Sequence, residues 1–191
     1  MSPDGFSRPF DEKAEGFVRA EAIGAIFIQR KTDAKRIYAT IVGSCVNNDG
    51  FKTQGSSFPS RALQEQLMRE IFTQTDVNPN EIGFVEAHAT GTITGDCEEV
   101  SAIDAVFCEN RDQPLLIGSV KSNMGHAEAA SAFASLFKVL LTFENRKIPP
   151  NINLTTLRTD IDAFKEGRIK VVTEPEDLKG NFISMNSFGI G

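Results

Sequence analysis

Two histidines, His88 and His126, with Lys121 between them, are the residues of this 191-residue chain whose types and spacing could do chemistry. Each histidine ends or follows a short apolar run and stands among small residues, in EAHATGTITGD (Glu86–Asp96) and SVKSNMGHAEAAS (Ser119–Ser131). Imidazole is the side chain whose charge changes near neutral pH. Two neutral rings side by side can aim two N–H donors at one developing oxyanion. Taken singly, each histidine also reads as an ordinary structural residue. Lys121 reads either as local charge balance or as a surface lysine with a packed stem. Thr90 and Thr92 would hydrogen-bond a ligand amide or shape the turn that holds them. Asp96 reads as a helix cap rather than a catalytic acid.

Other chemistries find less support. His126-Ala127-Glu128 fits the H-x-E half of a zinc deaminase, but the required P-C-x-x-C is missing and no H-E-x-x-H occurs. No metal site is therefore expected. Cys97 lies at a predicted helix start, which lowers a thiol pKa, yet Asp96 beside it would take those N–H groups. Cys45 reads as a strand residue and Cys108 as a buried helix residue, so none of the three is read as a nucleophile. Nucleotide binding lacks both G-x-x-x-x-G-K-[ST] and a complete G-x-G-x-x-G.

The elements that must position these residues follow from periodicity and punctuation. Residues 1–20 are turn-rich, with Pro3-Asp4-Gly5 and Pro9. Ala22–Gln29 and Arg36–Val46 read as two strands of a possible hairpin, and NNDGFKTQGSS as a polar loop. Pro59 opens a helix with Leu63, Leu67 and Ile71 on one face. Ile82–Ala87 is a strand, and a helix follows from a capping box of Asp96 and Glu99 to about Cys108. LLIGSV (Leu115–Val120) is the next strand, so Ile82–Val120 forms a strand–helix–strand unit with parallel strands. Both histidine loops then lie at one edge of the sheet, where open α/β sheets bind ligands. After the tight SNMG loop and His126 comes a segment too apolar on every side for a surface helix, which predicts a helix buried all round. It is shorter than the roughly 20 residues of a membrane crossing. Further strands are expected around Ile169–Val172 and at Phe182–Met185, which runs into NSFGIG.

Composition is that of a soluble globular chain: 40% hydrophobic, 24% charged, net charge −6. With no long basic block, nucleic acid and anionic membrane are not expected partners. Three unpaired cysteines and a polar N-terminus fit a reducing, cytoplasmic setting.

At EAHATGTITGD, GSVKSNMGHAEAAS (Gly118–Ser131) and NSFGIG (Asn186–Gly191), the chain resembles the β-ketoacyl synthases. It is most similar to the condensing domain of an animal-type multifunctional fatty acid synthase. SPDGFSRPFD, NNDGFKTQG and FPS favour that synthase over modular polyketide synthases, and the likeness covers essentially the whole chain. The resemblance implies an α/β, thiolase-like fold of two halves, a mixed sheet with buried helices. Residues 1–36 would be the remnant of the N-terminal half and residues 37–191 the C-terminal half, truncated at the glycine loop.

It also implies a reaction: an acyl group on a cysteine is attacked by the carbanion of a decarboxylating malonyl group carried on acyl carrier protein. His88 and His126 match the histidines that stabilise the thioester oxygen, and Lys121 the lysine that supports them. Thr90 and Thr92 match threonines that contact the phosphopantetheine arm, which is a substrate carrier; no tightly bound cofactor is implied. Phe188 matches the gating phenylalanine. The family's nucleophile lies in an upstream elbow that this chain lacks. The isolated chain is therefore expected to be inactive, to need the missing half, and to be a homodimer when intact. It departs from the family at Ala89, Cys97, Ala129, Ala132, Ser135 and Ile190; Ala89 replaces a glycine and requires a position free of positive φ. The competing reading is a non-catalytic half-domain acting as a scaffold, and a more distant one is a metal-dependent hydrolase. An apolar face left open for the first half would make the chain self-associate.

Overall fold

The computed structural model describes residues 1–190. Its centre is a four-stranded parallel sheet made of β1 (Ile82–Glu86), β2 (Leu115–Gly118), β4 (Ile169–Val171) and β6 (Phe182–Met185), in the order β4-β2-β1-β6. A short antiparallel pair joins β3 (Lys147–Ile148) and β5 (Glu176–Asp177). The helices are α1 (Arg61–Thr75), α2 (Ile93–Phe107), α3 (Lys121–Met124), α4 (Ser131–Asn145) and α5 (Asp162–Lys165). Val85 pairs with Ile117 and Glu86 with Gly118, so β1 and β2 run side by side and deliver their following loops to one edge. Phe84, Val85, Ile103, Phe107, Leu115 and Ile117 are sealed in the interior. These two strands are nearly continuous apolar runs because a parallel sheet covered on its faces leaves few positions for polar residues.

Helix starts differ from the sequence expectation in an informative way. α1 begins at Arg61 behind Ser60, whose hydroxyl accepts the Leu63 N–H at 3.4 Å, and Pro59 stands just outside. α2 begins at Ile93 with Thr92 as its N-cap, so the expected capping box of Asp96 and Glu99 is not formed. Both carboxylates lie inside the helix and are buried, reaching back to the loop before it. The SNMG loop is the short helix α3.

The expected hairpin of Ala22–Gln29 and Arg36–Val46 is absent. Neither segment pairs into a ladder, the second bends at Arg36 and Tyr38, and each passes close to a helix. A Cβ on Gly24 would stand 2.7 Å from Phe133 of α4, and one on Gly43 2.4 Å from Thr75 of α1. β-branched composition favours extended backbone, but a strand exists only where a neighbour supplies its ladder. Here Ile23, Phe27 and Val46 face outward instead.

All-round burial of α4 is also corrected. Its covered face carries Ser131, Ala134, Ser135, Lys138 and Thr142, while Phe137 and Leu141 are 38% and 56% exposed. An apolar groove of about 420 Å³ runs along that open side between Phe133, Phe137, Leu141 and Ile23. The covered face thus mixes these polar side chains with Ala134 and Val139, while the larger apolar residues Phe137 and Leu141 stay open.

Candidate active site

The two imidazoles meet. Their ring centroids are 5.3 Å apart with the planes at 84°, and Phe188 lies 6.0 Å from the His88 ring on another side. His88 follows β1 directly, and His126 follows β2 and α3. Parallel pairing therefore brings together residues that stand far apart in sequence.

Two carboxylates of α2 shape the His88 loop. Glu99 accepts the His88 N–H at 2.8 Å with one oxygen and the Ala89 N–H at 2.7 Å with the other. Asn186, just after β6, donates its side-chain N–H to the same carboxylate at 3.0 Å. Asp96 accepts the N–H groups of Gly91 and Thr92 at 3.1 and 3.3 Å, and that of Phe10 at 2.9 Å. The loop is thus held by charge-assisted bonds to a buried helix. Ser119 adds a hydroxyl donated to the Ala89 carbonyl at 2.9 Å. Ala89 is not among the positive-φ residues, so the methyl that replaces a glycine costs no backbone strain. Thr90 is buried, and its hydroxyl is 3.3 Å from that of Thr92.

His126 is fixed from the N-terminal segment. Its N–H donates to the Val18 carbonyl at 2.7 Å, its carbonyl accepts the Ala20 N–H at 3.0 Å, and Phe17 packs edge-on against the ring at 4.8 Å. Gly125 lets this approach happen: its φ is +82°, and a Cβ there would stand 2.9 Å from the Val18 carbonyl oxygen. Glu128 pairs with Arg19 at 2.7 Å. Among the described residues, no group of three or more His, Cys, Asp or Glu is arranged to hold a metal ion.

Lys121 is buried at 1% exposure, which corrects the surface-lysine alternative. Burial lowers its pKa, and the charge of Lys138 adds to that; the carboxylates of Glu86, Glu99 and Asp96 oppose it. Burial pushes the His88 pKa well below the ordinary histidine value, and the Lys121 charge and the neighbouring imidazole push it further. His126 is lowered by burial and by Lys121, against a smaller opposing pull from Glu128. Both rings are neutral at pH 7 and present donors. The Nδ1 atom of each ring is buried without a hydrogen-bond partner, which leaves Nε2 as the nitrogen able to meet a ligand.

Phe188 also lines a cavity of about 220 Å³ with Asn47, Gln64 and Pro59. The last residue of the NSFGIG motif, Gly191, lies outside the described residues. Of the three cysteines, Cys45 lines that same cavity with Phe188, whereas Cys97 and Cys108 belong to α2. Cys108 caps the far end of α2, and burial pushes its thiol up to about 12. Cys97 lies within α2, and Cys45 sits beside Gln74 of α1.

The sequence alone does not mark Glu86, Lys138, Glu99 or Asn186 as site residues. The available signal was polar residues inside runs otherwise apolar: Glu86 ending a strand and Lys138 within a helix of Leu, Val and Phe. A buried charge demands a partner.

Comparison with known proteins fits this geometry. Residues 38–155 match the family model for the beta-ketoacyl synthase C-terminal domain, and residues 1–34 match that for the N-terminal domain. The chain belongs to the β-ketoacyl synthase family. It is similar to the fatty acid synthase of Anser anser anser, 47% identical over 76% of this chain and 41% of that sequence. It is also similar to a highly reducing polyketide synthase of Glarea lozoyensis, 43% identical over 100% of this chain and 8% of that one. Among solved structures it is similar to the ketosynthase from module 6 of the bacillaene synthase of Bacillus subtilis 168. That match has a TM-score of 0.93 and 38% identity, and it covers 100% of this chain and 36% of the other. The ketosynthase from module 1 of the bacillaene synthase of Bacillus amyloliquefaciens FZB42 matches at TM-score 0.93 and 33% identity, over 37% of its length. The thiolase-like α/β fold and the ketoacyl synthase resemblance are borne out. The chain spans well under half the length of these relatives.

Proposed function

We propose that this ketoacyl synthase chain supplies the decarboxylation and oxyanion site of a condensing enzyme that acts on malonyl groups carried on acyl carrier protein. The observation that carries this reading is the 5.3 Å approach of two neutral imidazoles at the carboxyl edge of a parallel sheet. The malonyl group enters as a thioester on the phosphopantetheine arm, which Thr90 and Thr92 contact and Phe188 gates. The bond between its carboxylate carbon and its α-carbon breaks and CO₂ leaves. The electron pair moves onto the thioester oxygen, where His88 and His126 donate N–H bonds to the enolate. The α-carbon then attacks an acyl thioester, a carbon–carbon bond forms, and a cysteine thiolate departs. Lys121 supports the two rings through its buried charge. Preorganised donors of this kind each contribute about 10²-fold or more in rate.

The departing cysteine is assigned to a segment other than residues 1–191: Cys97 lies within α2 and Cys108 at its end, and Cys45, which lines the cavity beside Phe188, donates its thiol to Gln74. That segment packs against the open face of α4. The isolated chain is accordingly inactive, the intact enzyme is a cytoplasmic homodimer, and no tightly bound cofactor is required.

The experiment joins this chain to a ketosynthase N-terminal half and measures CO₂ release from malonyl-acyl carrier protein. Release that falls about 10²-fold or more in His88→Ala and His126→Ala variants is expected. The location of Cys97 and Cys108 within and at the end of α2 favours a second reading, a non-catalytic scaffold. A well-folded joined protein that releases no CO₂ would establish that reading and overturn the first.

A further inference from the structure

Thr92 stands at the start of α2 but does not cap it. It is the N-cap residue, yet its side chain makes no capping bond. A threonine in that place ordinarily turns its hydroxyl onto the second or third N–H of the helix. Here the hydroxyl lies over Gly95, so close that a Cβ there would stand 2.4 Å from it. Gly95 is not among the positive-φ residues, so what it provides is room. The Thr92 hydroxyl oxygen accepts the Thr90 hydroxyl at 3.3 Å. The Thr92 proton is then left for a ligand, which suits an amide carbonyl.

The peptide groups around Thr92 are gripped from a distant segment. Arg158 is 5% exposed, and its Nη1 donates to the Ile93 carbonyl at 2.7 Å and to the Thr92 carbonyl at 3.4 Å. Nε and Nη2 donate to the two oxygens of Asp160 at 2.9 and 2.5 Å, so each guanidinium nitrogen has a partner. From the other side Asp96 accepts the Thr92 N–H. The Phe10 backbone joins the two holds: its carbonyl accepts the Arg158 N–H at 3.1 Å, and its N–H donates to Asp96 at 2.9 Å. A guanidinium beside a helix N-terminus opposes the helix dipole, and taking it out of water is costly. Capping α2 does not call for such an arrangement, because the Thr92 hydroxyl would serve.

We infer that Arg158 and Asp160 are positioning residues: the Arg158 fork, braced by Asp160, fixes the Thr92 and Ile93 carbonyls so that the Thr92 hydroxyl stays off the helix and beside Thr90, free to meet the carrier arm. The inference rests on the contact of Thr90 and Thr92 with that arm in the function proposed above, and adds the residues that hold the contact in place.

Two measurements test it. In the full chain, three-bond NMR couplings to the Thr92 methyl carbon read its side-chain torsion, and hydrogen exchange reads the Thr94 and Gly95 amides. Arg158→Leu is expected to turn the hydroxyl onto the helix and to slow one of those amides about fivefold. In the protein joined to a ketosynthase N-terminal half, the same variant is expected to raise KM for malonyl-acyl carrier protein about tenfold with kcat within about twofold, and to add little to Thr92→Val. A merely structural role would lower the active fraction and hence kcat, leaving KM unmoved. An unchanged Thr92 torsion overturns the inference, as does a KM unmoved by Arg158→Leu while Thr92→Val raises it. If Arg158→Leu does not fold, Asp160→Ala decides in its place, since that side chain is 58% exposed. A KM that Thr92→Val leaves unmoved counts against the arm contact instead, and the torsion, which needs no catalysis, then decides the positioning.

Discussion

His126 donates its backbone N–H to the carbonyl of Val18 at 2.7 Å, which ties the second ring of the site to the first twenty residues of the chain. Phe17 completes the contact against the ring face. Phe17→Ala is therefore expected to cost about 1–3 kcal/mol of stability through lost packing. It should also raise the His126 midpoint, because burial is the leading cause of its depression. Urea unfolding and histidine NMR titration read the two effects separately.

Gly125 is required twice, for its positive φ and for the space beside Val18. Gly125→Ala is expected to cost about 1–2 kcal/mol in backbone strain alone, with further loss from the displaced Val18 carbonyl. Loss of slow hydrogen exchange at the His126 amide is the specific readout. A variant as protected as the parent would show that the turn adapts.

Glu99 satisfies two backbone donors, one fully buried at Ala89 and one partly buried at His88. Glu99→Ala leaves the His88 and Ala89 N–H groups without partners, at about 1–3 kcal/mol each. The expected result is a large loss in urea midpoint. The carboxamide of Glu99→Gln keeps at least one acceptor and should lose less.

Ser135 replaces a small residue on the covered face of α4, and its hydroxyl is buried with no partner. Ser135→Ala removes an unsatisfied group and leaves no sizeable cavity, so it is expected to be neutral or to stabilise by about 1 kcal/mol. Thermal unfolding checks it, and a clear loss would mean that the hydroxyl has a partner in solution.

Stability should fall as pH drops below the ordinary histidine range. The folded-state pKa values of His88 and His126 lie below those of the unfolded chain. The unfolded state thus binds more protons from about pH 6.5 downward, and stability declines through that window until the folded values are reached. Asp11 adds a second loss at lower pH. Burial pushes its pKa up, but bonds from Thr155, Thr156 and Lys13 prevail and hold it below the usual carboxylate value, so its contribution disappears as it protonates. Unfolding temperatures at pH 7 and pH 5 should differ less in a His88→Gln/His126→Gln variant than in the parent.

Much of this architecture is local and therefore legible along the chain. β1, β2 and β6 are short apolar runs bounded by turn residues, and the Ile82–Val120 crossover forces two parallel strands. That alone puts His88 and His126 at one edge of the sheet. That residues 22–46 form no hairpin was not legible, because a β-prone run becomes a strand only beside a partner. The buried helix was half legible: composition announced that α4 avoids water, but not which of its faces the rest of the chain would cover.

By itself, then, the sequence determined the order of elements, the parallel crossover and the two histidine loops, since each depends on neighbours within a turn or a strand. Only the tertiary structure decided that Asp96 and Glu99 brace a loop instead of capping a helix, that Lys121 is buried, and that Glu86 meets Lys138. Those outcomes depend on desolvation and on partners from distant segments, and a buried charge settles on whichever partner the packing brings within reach.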